Sequence, residues 1–109
     1  MMEESEILFN TITNELTSEH AAVAAGKMMS SPGIKYKNKV FAFYYNDQMV
    51  FRLGKEFDPE VLGITQFGYL SPFKNKPPMK GWVEVPFVYH QKWRDLAALA
   101  LEKIEKEIR

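Results

Sequence analysis

The chain has 109 residues, of which 46% are apolar and 14% aromatic, so it can bury the core of one folded domain and is not disordered in composition. It contains no cysteine, which excludes disulfides, thiolate metal sites and cysteine nucleophiles. The net charge is zero, no apolar run reaches membrane-spanning length, and the acidic N-terminus does not resemble a signal peptide, so we expect a cytoplasmic protein without membrane contact.

The first element in chain order is a predicted helix. Leu8, Phe9, Ile12 and Leu16 recur at helical spacing, which indicates a helix over residues 4–16. Ser18 is a suitable N-cap for a second, short helix from Glu19 to Ala25, which Gly26 would end. Residues 1–26 also carry five glutamates and no Lys or Arg, whereas residues 27–80 carry nine bases and four acids. We therefore expect an acidic helical segment beside a basic sheet.

The middle of the chain is typical of strands joined by turns. Ser31-Pro32-Gly33 is predicted to be a turn, and Asn46-Asp47 suits a two-residue hairpin loop. Asp58-Pro59 indicates the capped start of a short helix. The predicted strands are residues 34–36, 40–45, 48–53, 67–70 and 79–85, with a loop over residues 74–78.

The last element is the clearest helix, from about Tyr89 to Ile108. Its apolar residues form one stripe, and Glu102–Lys106 and Glu105–Arg109 are favourable i,i+4 pairs on the opposite side. Together these elements predict a single α+β domain over residues 1–109. It has an antiparallel sheet of four to five strands, with N-terminal helices and a long C-terminal helix packed on it.

The predicted hairpin has two apolar faces. A two-residue loop pairs Tyr45 with Gln48, so one face shows Val40, Ala42, Tyr44, Met49, Phe51 and Leu53, and the other shows Phe41, Phe43, Tyr45, Gln48, Val50 and Arg52. An antiparallel sheet with one face in water usually alternates apolar and polar residues, whereas both faces of this hairpin are largely apolar. Both faces therefore need to be covered. The helices could be divided between the faces, a second copy of the chain could cover one, or a small molecule could occupy an aromatic groove.

The stretch "PMKGWVEVP" places Trp82 on the side of Lys80 and Glu84, away from Val83 and Val85. A tryptophan in the core or in an interface is favoured over an exposed stacking platform. We therefore predict an interface that includes Phe41, Phe43, Tyr45, Val50 and Trp82.

Lysines flank the aromatic strand and the later loop, which makes nucleic-acid binding the alternative function. The candidate contacts are Lys35, Lys37, Lys39, Lys74, Lys76 and Lys80. Lysines in turns and at sheet edges are also ordinary solubilising residues, and a pI near 6.7 argues against a polyanion partner.

No pattern of catalytic residues is present. The two histidines, His20 and His90, form no metal-ligand motif, and there is neither a GxSxG turn nor a glycine-rich phosphate loop. We expect no enzyme activity, no cofactor and no bound metal.

Three segments resemble the TfoX N-terminal domain-like family of small bacterial domains related to competence regulators. They are "GKMMSSPGIKYKNKVFAFYYNDQMVFRLGK", "PFKNKPPMKGWVEVP" and the helix near "WRDLAALAL". The matching positions are Met28, Phe41, Ala42, Leu53, Phe73, Met79, Lys80, Trp82 and Val83, within residues 20–102. Met29-Ser30 and Asn38-Lys39-Val40 depart from the family pattern. The resemblance implies a secretion-chaperone-like α+β fold, often dimeric, without catalytic residues. With the two apolar faces, it predicts a homodimeric protein-interaction or regulatory module, for which a regulatory protein is a further candidate partner.

Overall fold

A computed structural model describes residues 3–28, 30–70 and 79–108, with side chains from residue 81 onward in the last range. Helix α1 (Glu4–Glu19) comes first and helix α2 (His90–Ile108) last. Between them lie strands β1 (Val23–Met28), β2 (Ser31–Tyr36), β3 (Lys39–Tyr45), β4 (Gln48–Arg52), β5 (Gly68–Leu70) and β6 (Met79–Pro86), and two short 3-10 turns, Pro59–Leu62 and Phe87–Tyr89. The predicted α+β class is confirmed, with six strands in place of four to five.

The strands form one antiparallel sheet in the order β1-β2-β3-β4-β6-β5. The predicted β3–β4 register is confirmed, with Tyr45 opposite Gln48 and Phe43 opposite Val50. Asn46 and Asp47 between these strands have φ of 54° and 63°. Both values lie in the left-handed region that a two-residue hairpin loop requires.

Strand β1 begins within the segment that was predicted as a second helix, residues 19–25, and Glu19 is the last residue of α1, so that prediction is wrong. Residues Val23 to Met28 pair in unbroken register with Tyr36 to Ser31 of β2. The predicted turn at Ser31-Pro32-Gly33 is also wrong, because these residues open β2. Alanine has the highest helix propensity, yet six cross-strand pairs outweigh the preference of so short a segment.

The two helices cover the same face of the sheet, which we call the helix face. Phe9, Ile12 and Leu16 of α1 share one core with Trp93, Leu96 and Leu101 of α2, and this core includes Met49, Phe51, Val83 and Val85 from the sheet. Arg94 Nε of α2 donates to Glu15 Oε1 of α1 at 3.0 Å. A division of the helices between the two faces is therefore wrong.

The predicted stripe of α2 is confirmed as its buried side, consisting of Trp93, Leu96, Ala97, Ala100, Leu101 and Ile104. Lys106 Nζ lies 3.0 Å from Glu102 Oε1, as predicted. The predicted partner of Glu105, Arg109, lies outside the described residues. The predicted cap at Asp58 is also confirmed, since the Glu60 N–H donates to Asp58 Oδ1 at 3.0 Å.

A β-bulge moves Phe41 to the helix face. Strand β2 pairs Ile34 with Ala42 but Lys35 with Val40, so Phe41 is an extra residue in β3. An extra residue reverses the alternation on one side of the bulge. Phe41 accordingly belongs to the core under the helices, and Val40 packs with Phe43 on the opposite face. The predicted placing of Phe41 beside Phe43, and of Val40 beside Ala42, is wrong.

Candidate interaction site

The face of the sheet opposite the helices, which we call the second face, carries a small aromatic cluster. Phe43, Val50, Leu70 and Trp82 form its centre, and half-buried Met28 and Val40 pack against them. The rings of Phe43 and Trp82 are tilted, with centroids 5.6 Å apart. Trp82 is 8% exposed and Phe43 1% exposed within the single chain. The second face is therefore a minor core and not an open platform for stacking.

The predicted interface residues are placed differently from one another. Phe41 is buried on the helix face, whereas Phe43, Val50 and Trp82 are buried together on the second face. Tyr45 is the one member of the set with a large exposed fraction, 53%. Their role in an interface stays a prediction, and a partner at this surface would meet Tyr45 first.

Glu84 lies on the second face beside the cluster. It pairs with Val50 on one side and Gly68 on the other, and a Cβ atom at Gly68 would lie 3.0 Å from Glu84 Oε1. The carboxylate therefore lies over the glycine backbone, where a larger residue would displace it. Burial raises the pKa of the Glu84 carboxyl above its ordinary value.

The three lysine candidates for nucleic-acid binding that the structure describes do not share one face of the sheet. Lys35 pairs with Val40 on the second face, and its aliphatic chain lies against Gly26. Lys39 pairs with Tyr36, a residue that packs on the core under the helices. Lys37 is in the turn between them, with its Nζ 5.4 Å from the centroid of the Tyr36 ring. Lys74, Lys76 and the side chain of Lys80 lie outside the described residues.

Arg52 is also predicted to lie on the second face, and its backbone pairs with Trp82 there. Its guanidinium nevertheless forms two hydrogen bonds with the Glu107 carboxylate of α2, with Nη2 and Oε1 2.8 Å apart. This ion pair lowers the pKa of Glu107 and raises that of Arg52. The Arg52 guanidinium is therefore bound to a carboxylate near the end of α2.

One polar network was not predicted from the sequence. Ser5 Oγ lies 2.7 Å from the Tyr44 hydroxyl, and the Tyr44 hydroxyl donates to Asp47 Oδ1 at 3.0 Å. Ser5 is buried at the start of α1, and Asp47 is in the β3–β4 turn. The network contains no histidine or lysine that could act as a base. Its hydrogen bonds hold the start of α1 against the β3–β4 hairpin.

The described residues also bear on metal binding and on membrane insertion. No group of three or more His, Asp or Glu side chains within residues 3–28, 30–70 and 79–108 is arranged to hold a metal ion. Neither helix of the described part is long and apolar enough to cross a membrane.

Strand β1 exposes an open hydrogen-bonding edge, the feature that the sequence prediction missed. The Lys37 N–H donates to the Ala22 carbonyl at 3.1 Å, which makes Ala22–Lys37 a hydrogen-bonded pair of the β1–β2 register. Because such pairs alternate along an antiparallel ladder, Ala24 and Gly26 bond to β2, whereas Val23, Ala25 and Lys27 direct their N–H and C=O groups outward.

The outward groups of Ala25 and Lys27 have no strand beside them among the residues that the structure describes, since β1 is the first strand of the sheet. The Val23 N–H is used locally, donating to the His20 carbonyl at 3.1 Å. Ala24, Ala25 and Lys27 are exposed.

The opposite edge of the sheet is different. Strand β5 has three residues in the described part of the chain, and its pairing with β6 is irregular between Tyr69 and Leu70. Short, irregular edge strands resist pairing with other chains, whereas a regular edge with small side chains invites it. The open edge of β1, residues 23–28, is therefore the candidate interaction site, and we call it the β1 edge.

Comparison of the chain with family models, with curated proteins and with solved structures finds no match. The resemblance to the TfoX N-terminal domain-like family stays a prediction.

Proposed function

We propose that this protein is a non-enzymatic protein-interaction or regulatory module that takes up an extended segment of a protein at the β1 edge. The observation that carries the proposal is the pair of outward-directed residues Ala25 and Lys27 on an unbulged six-residue edge strand. Addition of a strand to such an edge gives affinity through main-chain hydrogen bonds.

The side chains at the β1 edge favour close approach of a second backbone. Ala24, Ala25 and Gly26 are small, and Lys27 is the single charge of the strand. Lysine at an edge commonly opposes pairing with another cationic strand. An acidic group on the incoming segment, opposite or diagonal to Lys27, would remove that obstacle.

Proline at position 25 tests the proposal directly. The Ala25 N–H makes no bond to β2, so Ala25→Pro removes a donor that only an incoming strand would use, and proline is tolerated at edge positions of this kind. The control Ala25→Ser keeps the N–H and changes the side chain by one atom.

Both variants and the parent chain, immobilised at low density, would be presented with a displayed library of random twelve-residue linear peptides. We expect the parent and Ala25→Ser to enrich the same peptides, and Ala25→Pro, with an unchanged circular dichroism spectrum, to lose them. Equal enrichment by Ala25→Pro, or no enrichment by the parent chain, would overturn the proposal.

A further inference from the structure

We infer that the occupant of the β1 edge is a second copy of this chain, paired antiparallel about a two-fold axis at Ala25. The inference rests on the proposed function and specifies its partner and register. In this arrangement Ala25 lies opposite Ala25 of the partner subunit, and Lys27 lies opposite Val23 of the partner subunit.

The phase of the hydrogen bonds selects this register. Two antiparallel edges can bond only if outward-directed residues lie opposite outward-directed residues, which here means Val23, Ala25 and Lys27. A two-fold axis at Ala24 or Gly26 also meets this condition, because the residues on such an axis form a non-hydrogen-bonded pair. The Val23 N–H already donates to the His20 carbonyl, so axes at Val23 and Ala24 lose bonds at their centre. An axis at Lys27 places two lysines opposite each other, and an axis at Gly26 leaves them diagonal, about 7–8 Å apart on one face. The axis at Ala25 keeps the lysines farther apart and forms four hydrogen bonds without the Val23 N–H, because each Lys27 N–H donates to the Val23 carbonyl of the partner subunit.

Charge at the two ends of the pairing also fits a second copy. The N-terminal 26 residues carry five glutamates and no base, and α1 has no basic residue in its last turn. The C-terminal end of a helix attracts cations, as does the exposed carboxylate of Glu19 there. Only three residues, 20–22, separate Glu19 from Val23.

The side chain of Val23 lies in the core under the helices. Lys27 is four residues further along β1, so the alternation of the strand directs its side chain to the same face of the sheet. Placed opposite Val23 of the partner subunit, its ammonium group lies next to the helix end that carries Glu19 of the partner subunit. The two-fold axis repeats this contact, so each dimer has two of them. The single charge of β1 thus becomes complementary to the partner.

The arrangement keeps both helical layers on one side of a continuous sheet, because a two-fold axis normal to the sheet maps each face onto itself. It leaves the second face, with Trp82 and Tyr45, outside the dimer contact. This is the distinction between the inferred dimer and one formed through the aromatic cluster.

The absence of cysteine from the chain makes single-cysteine cross-linking decisive. In the inferred register the Cα atoms of residue 25 and its symmetry mate are about 5.5 Å apart, within disulfide range. Those of residue 27 are about 14 Å apart, because they are displaced by four residues along the strand and by one strand spacing across it, and they are out of range. We expect Ala25→Cys to form a covalent dimer on mild oxidation, and Lys27→Cys to do so no faster than Ala98→Cys, an exposed control on α2.

Charge exchange provides a second measurement. Lys27→Glu and Glu19→Lys should each raise the dissociation constant of the dimer roughly threefold to thirtyfold, as expected for two exposed ion pairs, and the double exchange should restore it. Sedimentation equilibrium of the 12.7-kDa chain would give these constants.

The outcomes separate the inference from the proposed function. A monomeric parent chain, or cross-linking at residue 27 in place of residue 25, overturns the inferred dimer. If peptides are still enriched in a manner that Ala25→Pro abolishes, the proposed function stands with another occupant. If dimerisation is unchanged in Ala25→Pro, the inferred dimer falls, and the peptide enrichment alone decides the proposed function.

Discussion

Trp82 shows how neighbours decide the environment of a single residue. Along its strand it alternates with Val83, which lies in the core under the helices, so its ring emerges on the side of the charged Glu84. The ring is nevertheless almost completely buried, because Phe43, Val50 and Leu70 surround it. Alternation therefore gives the face of a residue, whereas the depth of its burial depends on which side chains the sheet places around it.

Truncation of Trp82 tests this environment. We expect Trp82→Ala to lower the free energy of unfolding by about 3–5 kcal/mol, because it removes a large buried ring and leaves a cavity. Urea denaturation gives the value. Tyr45→Ala on the same face is the control and should change stability by no more than about 0.5 kcal/mol, since Tyr45 is exposed. Equal effects of the two substitutions would show that the cluster does not support the fold.

At the scale of elements, two tight turns set the registers of the central strands. Lys37 and Asn38 join β2 to β3, and Asn46 and Asp47 join β3 to β4; all four have positive φ. Asparagine and aspartate tolerate this conformation better than other residues with a Cβ atom. The network of Ser5, Tyr44 and Asp47 then fixes α1 to the second of these turns.

Asn38, with φ of 71°, allows the turn requirement to be measured. Asn38→Ala should lower the free energy of unfolding by about 1 kcal/mol, because alanine is strained in the left-handed region. Asn38→Gly should leave stability unchanged or raise it, since glycine adopts this φ without steric cost. Thermal unfolding of both variants decides the matter, and equal melting temperatures would contradict the assignment of strain to φ.

At the scale of the whole molecule, two ion pairs join elements that are distant in the sequence. Glu15 of α1 pairs with Arg94 of α2, and Glu107 of α2 pairs with Arg52 of β4. Hydrogen bonding to the arginines lowers the pKa of both glutamates. Glu84 is the exception, because burial raises its pKa.

The sign of the Glu84 shift gives a prediction for stability against pH. A carboxyl whose pKa is higher in the folded than in the unfolded chain favours folding when protonated, and this contribution is lost as pH rises through the folded pKa. At pH 7 Glu84→Gln should therefore stabilise the protein slightly, by up to about 0.5 kcal/mol. The advantage should disappear below about pH 4, where carboxyl groups are protonated in the unfolded chain as well.

Glu56→Gln, at an exposed position, is the control for the general effect of removing one negative charge. Chemical denaturation of the parent and both variants at several pH values would measure the difference. A Glu84→Gln variant less stable than the parent at pH 7 would show that the carboxylate has a favourable partner.

The sequence by itself determined the features that depend on neighbours a few residues away. The stripe of α2, the turn at Asn46-Asp47 with its register, and the cap at Asp58 all follow from local spacing and side-chain chemistry. Three features were decided only by tertiary structure: β1 as a strand, the bulge at Phe41, and the packing of both helices on one face.

The physical reason is the same in these three cases. An alanine-rich segment prefers a helix by only a few tenths of a kcal/mol per residue, and pairing with β2 outweighs that preference. A bulge depends on how two strands pair, and the position of a helix depends on which face of the sheet remains to be buried. A pattern of neighbouring residues therefore predicts neither feature. The β1 edge, on which the proposed function rests, belongs to this second group, because a strand becomes an edge only through the order of the finished sheet.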